Sequence, residues 1–265
     1  MSPGRDAIRV VLFDYGHTLV DFRRVPEALV RAYEDIRALL ERHVSHELPR
    51  AEELAHQVTG AMDVLVHESY VQGRLQELDV IQLLEDAFAG IGIELGPDLA
   101  QELVVIDHRA FTESITVPDG TLEVLQALAD RGLRMGLVSN ITLLPDLLRA
   151  DLAALGLARF LSAMAFSSEV GWRKPDRRIF QWVLDRLGAS PAEAVFVGDR
   201  LRDDIAGARA VGMRTVLTRQ FRDELAGPER AEALRIRPEE LNGLVPDHDI
   251  PTLGDLPDLL GDWGS

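Results

Sequence analysis

Two hydrophobic rhythms divide the chain. Residues 8–13 form a short, β-branched apolar run that stops at Asp14. This is the pattern of a buried strand feeding a polar, glycine-containing turn. From about Pro26 to Arg109 the spacing changes. Ala28, Leu29, Ala32, Ile36, Leu39 and Leu40, and again Val80, Leu83, Leu84, Ala87 and Phe88, recur at helical intervals with few strand signals between them. That stretch is predicted to be an all-helical insert. After Pro118-Asp119-Gly120 the two periods alternate. Helices are predicted over 121–131, 143–155, 176–187 and 205–211, and strands over 134–138, 163–166, 194–197 and 214–217. Residues 221–244 are charged and irregular and are expected on the surface; a last short strand and helix are expected over 249–260.

Alternation of strand and helix implies βαβ units, a parallel sheet and right-handed crossovers. The predicted fold class is therefore α/β: a Rossmann-like parallel sheet with helices on both faces, plus a helical domain inserted after the first strand. The core is expected to comprise 1–24 and 110–265, and the helical insert 25–109. A chain of 265 residues is long enough for such a two-part arrangement.

Composition narrows the chemistry. The net charge of −16, from 28 basic and 44 acidic residues, argues against nucleic acid or an anionic membrane as partner. A small phosphorylated ligand is still compatible, because a local cluster can oppose the global field. There is no cysteine, which removes disulfides, thiolate metal sites and cysteine nucleophiles. Residues 1–9 lack an apolar signal core, and no apolar run spans a bilayer, so a cytoplasmic location is expected. Among the 28 basic positions only Lys174 is lysine. A compact, flexible point charge enters a tight site where the planar arginine fork does not.

Ligands of open parallel sheets bind beyond the carboxyl ends of the strands. Asp14, Ser139-Asn140 and Asp199 each follow a predicted strand, and Lys174 can reach the same edge. Each alone is ordinary turn or cap chemistry; together they make a site for phosphoryl transfer. Paired carboxylates can hold Mg²⁺ while leaving room for substrate phosphate. Lys174 and the Ser139 hydroxyl can hold the equatorial oxygens, and one carboxylate can act as nucleophile.

The segments Val10-Val11-Leu12-Phe13-Asp14-Tyr15-Gly16-His17-Thr18-Leu19, Leu137-Val138-Ser139-Asn140, Ser168-Glu169-Val170-Gly171-Trp172-Arg173-Lys174-Pro175, and Val195-Phe196-Val197-Gly198-Asp199 with Asp203-Asp204-Ile205-Ala206-Gly207-Ala208 carry a resemblance. In order and spacing they resemble the four motifs of the haloacid dehalogenase-like hydrolases, mostly Mg²⁺-dependent phosphatases. The insert occupies the place of that family's helical cap. The resemblance implies a role for each residue. Asp14 is expected as nucleophile and metal ligand, and Ser139 and Lys174 as catalytic groups that bind phosphate. Asn140 and His17 are expected to line the substrate site. Asp199 is a further metal ligand, with Asp204, or else Asp203, supporting the ion. The implied partner is a small phosphorylated substrate, on a monomer or homodimer.

One position departs from the family pattern. Most of these phosphatases read Asp-x-Asp in the first motif, and the second Asp is the general acid/base. Here that position is Gly16. Its carbonyl can still face the metal, but it has no carboxyl, a loss typically on the order of 10²–10⁴-fold. Three readings follow. In the first, the chain is a phosphatase acting on esters with good leaving groups, with His17 as an alternative proton source; a branch reading Asp-x-Gly includes sugar phosphatases. In the second it is a dehalogenase or phosphonatase. Metal-free dehalogenases, however, lack the Gly-Asp aspartate and carry an aromatic residue in place of Gly16. Phosphonatases need a cap lysine that this insert does not have. In the third it is a weakly catalytic or non-catalytic binding or regulatory protein. Arg173, Arg200 and Arg202 are expected to be solvated surface arginines. Glu68, Tyr70 and Arg74 are expected on the helix surface of the insert.

Overall fold

A computed structural model describes residues 7–23, 25–45, 47–221 and 244–263. The charged stretch expected on the surface over 221–244 lies almost wholly outside the described residues. Six parallel strands form one sheet in the order β5-β4-β1-β6-β7-β8. They are β1 (Val10–Phe13), β4 (Arg134–Ser139), β5 (Leu161–Phe166), β6 (Ala194–Gly198), β7 (Arg214–Thr218) and β8 (His248–Ile250). β1 lies at the centre, paired with β4 on one side and β6 on the other. The chain works outward first through β4 and β5, then returns to β1 and works outward through β6 to β8. The strand order thus reverses beside β1, the place where such sheets open a crevice at their carboxyl ends.

Successive β1 side chains serve opposite faces, as the strand period requires. Val11 and Phe13 join a core with the helices α5 (Thr121–Asp130), α6 (Pro145–Ala154) and α9 (Leu256–Trp263). Val10 and Leu12 join the opposite core with α7 (Arg177–Leu187) and α8 (Gly207–Val211). Burial on both faces explains why β1 reads as an unbroken apolar run rather than an alternating one.

The insert is all-helical. It contains α1 (Pro26–Leu40), α2 (Ala51–Val71), α3 (Val80–Ala89) and α4 (Pro97–Glu113), which enclose a core of their own. The last of these runs past residue 109, where the periodicity reading ends the insert. A two-stranded antiparallel pair marks where the chain leaves and re-enters the sheet domain: β2 (Asp21–Phe22) with β3 (Ile115–Thr116). Strands this short carry no periodic signal and are invisible to a pattern reading. No helix among the described residues is long and apolar enough to cross a membrane.

Candidate active site

The site forms where β1, β4 and β6 end. The Asp14 amide donates to the Val197 carbonyl (2.9 Å), so the first residue beyond β1 is tied to the end of β6. The chain then turns sharply. The Leu19 amide donates to the Tyr15 carbonyl at 2.9 Å and the His17 amide to the Val20 carbonyl at 2.7 Å. His17 occupies the left-handed region (φ 58°) that such a turn demands. This fold-back places Asp14, Gly16 and His17 on one wall of a cavity of about 150 Å³. Phe22, Ser139, Asn140, Lys174, Arg200 and Asp203 are among the other lining residues, and no cap residue is among the described lining.

Lys174 is 2% exposed and its Nζ donates to Asp14 (2.5 Å) and to Asp204 (2.7 Å). Burial alone pushes its pKa down, but the two carboxylates overcome this and raise it well above the ordinary lysine value, so the ammonium stays charged. Asn140 fastens the segment that carries it. Its Oδ1 accepts from the Lys174 amide (2.6 Å) and its Nδ2 donates to the Lys174 carbonyl (3.0 Å). Asn140 thus lines the cavity with its amide engaged by the backbone of the lysine. Ser139, the last residue of β4, is buried at the cavity wall.

Asp14, Asp199 and Asp204 each offer an oxygen within 4.8 Å of the others. Asp204 sits on a π-helical turn, Leu201–Ala206, with the Ile205 amide donating to the Arg200 carbonyl (3.1 Å). Such turns are rare and cluster at functional sites. The wider turn brings Asp204 beneath the sheet edge, where its Oδ2 accepts from the Arg200 amide (2.9 Å), while the neighbouring Asp203 faces the Arg200 guanidinium (3.4 Å). Burial, with Asp14 and Asp204 close by, raises Asp199 to about 8. Burial and then the Asp14 charge, opposed by Lys174, raise Asp204 to about 6. The Oδ1 atom of Asp199 is buried without a hydrogen-bond partner. Three crowded carboxylates with an orphaned oxygen fit a hard divalent cation, which would relieve both the repulsion and the missing partner.

Two neighbouring residues overturn the sequence expectation. Arg173 is fully buried rather than solvated, and it pairs with Glu77 of the cap. Arg200 lines the cavity with its side chain 34% exposed. Its adjacency to Asp199 is a visible sequence signal; nothing in the sequence points to Glu77. Of the cap residues considered, Tyr70 lies against the Arg173 guanidinium (4.4 Å), and Glu68 and Arg74 line a separate hollow within the cap. Phe22, absent from the sequence-based site, lines the cavity and packs against Tyr15 and Phe111.

Residues 8–212 match the family model described as haloacid dehalogenase-like hydrolase. The chain belongs to that family. It is 31% identical over 214 residues to a glyceraldehyde 3-phosphate phosphatase of Methanopyrus kandleri, covering 80% of this chain and 84% of the relative. It is 34% identical over 151 residues to a ribulose-1,5-bisphosphate 5-phosphatase of Halopiger xanaduensis, covering 57% of this chain. That match spans 59% of the relative's own length. Among solved structures, a 2-haloacid dehalogenase from Pseudomonas syringae superposes with a TM-score of 0.62 at 25% identity, covering 97% of this chain and 99% of that one.

Proposed function

We propose that this hydrolase is a Mg²⁺-dependent phosphatase that moves the phosphoryl group of a small phosphorylated metabolite to Asp14 and then to water. The observation that carries the reading is the buried Asp14–Asp199–Asp204 cluster, bridged by Lys174 and opening on a small polar cavity. A dehalogenase working without metal has no use for that cluster. The Methanopyrus and Halopiger relatives act, by name, on small phosphate esters.

In this reading Asp14, Asp199 and Asp204, with the Gly16 carbonyl and Asp203 as further donors, would hold a Mg²⁺ that would neutralise charge on the phosphoryl oxygens. The chain's own residues do the rest. Lys174, kept charged by its carboxylate partners, and the Ser139 hydroxyl hold the equatorial oxygens. An Asp14 carboxylate oxygen attacks phosphorus, the P–O bond to the leaving group breaks, and the departing leaving-group oxygen takes up a proton. Water then attacks phosphorus of the acyl phosphate, releasing inorganic phosphate and restoring Asp14. Gly16 supplies no proton, which favours esters with good leaving groups. His17 lies on the cavity wall and can carry a proton. The proposal includes a cytoplasmic monomer or homodimer.

Gly16 supports one second reading, a protein that binds a phosphorylated ligand here with little turnover. An aryl phosphate and a panel of metabolite esters, assayed with and without Mg²⁺ beside Asp14→Asn, separate the two. The phosphatase reading expects Mg²⁺-dependent turnover that Asp14→Asn abolishes. Turnover no faster than that variant on every ester leaves only the binding protein. Given turnover, an unchanged rate in His17→Ala removes His17 as proton source.

A further inference from the structure

Away from the β2–β3 connection, the cap meets the sheet domain at the buried His108–Asp151 pair and at a dense polar cluster around Glu77. The Arg173 amide donates to the Leu75 carbonyl (2.7 Å) and the Glu77 amide to the Gly171 carbonyl (3.0 Å), forming a short antiparallel bridge between Gln76 and Trp172. At its end the Glu77 carboxylate, with a side chain 2% exposed, is filled with donors. It accepts from Arg173 Nε (2.7 Å) and Nη2, from the Thr142 hydroxyl (2.9 Å), from the Ser167 hydroxyl (2.5 Å) and from the Leu78 amide (2.8 Å). Arg173 is completed by the cap as well, through the Ser69 hydroxyl (2.7 Å).

The core partners of Glu77 are not scattered. Thr142 lies on the loop leaving Ser139 and Asn140, Ser167 follows β5 and receives the Ile141 amide (2.8 Å), and Arg173 directly precedes Lys174. One cap carboxylate therefore grips both segments whose backbones hold the phosphate-binding groups, the same two that Asn140 joins from beneath. It also satisfies Arg173, a buried cation adjacent to Lys174. A buried fork needs a carboxylate of this geometry, and a neutral or displaced partner leaves a charge stranded.

We propose that Glu77 is a positioning residue supplied by the cap: by clamping Arg173, Thr142 and Ser167 it fixes the Lys174 and Ser139 segments and so sets the anion subsite. The cap is then a working part of that subsite, joined to it through Glu77. The functional half of the proposal rests on the phosphatase reading; the structural half does not.

Lys174 is the only lysine, so [¹⁵N]lysine labelling of the full chain gives one amide signal that reports this segment alone. Glu77→Gln is expected to speed hydrogen exchange at that amide at least about tenfold, and to weaken competitive inhibition by inorganic phosphate with Mg²⁺ by a similar factor, with a smaller change in kcat. Asp151→Asn is the control. It removes the other buried cap-to-core pair, with His108 (2.8 Å), and is expected to lower Tm while leaving the Lys174 amide and phosphate inhibition within about twofold. If Glu77→Gln does not fold, Ser167→Ala and Thr142→Val each remove one donor and are expected to give smaller shifts of the same sign. An unchanged Lys174 amide in the Glu77, Ser167 and Thr142 variants, or equal acceleration in Asp151→Asn, overturns the proposal. A wild type that turns over no phosphate ester ends the phosphatase reading, while the exchange result still decides the clamp.

Discussion

Gly16 has a steric reason as well as a chemical consequence. A Cβ built at this position overlaps the Phe22 ring. That ring cannot swing aside cheaply, because it packs edge-on against Tyr15 (5.8 Å) and His17 (5.6 Å) and lies beside Phe111 (5.4 Å). The missing carboxyl and the aromatic at the cavity wall are thus one feature. Gly16→Asp alone is expected to lose about 1–3 kcal/mol of stability to overpacking, read as a lower Tm, and to gain no turnover. With Phe22→Ala added, the space returns and kcat toward poor leaving groups is expected to rise. A single Gly16→Asp variant that is both stable and faster contradicts this account. The aspartates, Ser139 and Lys174 were legible because strand ends can be read from local pattern. Phe22 was not, since what makes it matter is a glycine and three rings gathered only by the fold.

At the scale of elements, the metal cluster depends on how β6 meets the π-helical turn. Gly198 ends β6, and a Cβ there overlaps the Asp204 carboxylate. Gly198→Ala is therefore expected to push Asp204 aside and weaken Mg²⁺ activation by roughly tenfold; calorimetric or kinetic titration with Mg²⁺ checks it, and an unchanged affinity refutes it. The same cluster predicts a pH dependence. Asp199 and Asp204 stand at about 8 and about 6 in the fold against an ordinary 3.8. Raised carboxyl pKa values favour the fold at low pH, and that contribution is lost as pH climbs through the folded values. A bound cation offsets the loss, so Mg²⁺ is expected to raise Tm more at pH 8 than at pH 5; the reverse order would count against metal at these carboxylates. The pattern reading placed a helix over 205–211. The structure instead begins a π-helical turn at Leu201, because burial of Asp203, Asp204 and Ile205 together outweighs the regular ladder. The Arg173–Glu77 pair was equally hidden: its partners lie 96 residues apart, and nothing local marks either as buried.

The whole molecule carries −16 and is proposed to act on an anion. Its long-range field repels the substrate, and only the local ammonium, guanidinium and bound cation attract it. Raising monovalent salt from about 0.01 to 0.1 M shortens the screening length from about 30 to 10 Å, so kcat/KM for a phosphate ester is expected to rise over that range. A steady fall would show that the local positive groups dominate at distance. The all-helical stretch was legible because the hydrophobic period switches on either side of it. How the cap is seated on the core was not, since it depends on contacts between distant segments. The central claim is transfer of phosphate to Asp14, and acid quench of a single turnover tests it most directly. With Mg²⁺ and an aryl phosphate, peptide mass spectrometry is expected to find phosphate on the peptide bearing Asp14 and none in Asp14→Asn. Substrate consumed with no phosphate on that peptide at any quench time, or with phosphate on Ser139 instead, contradicts the account.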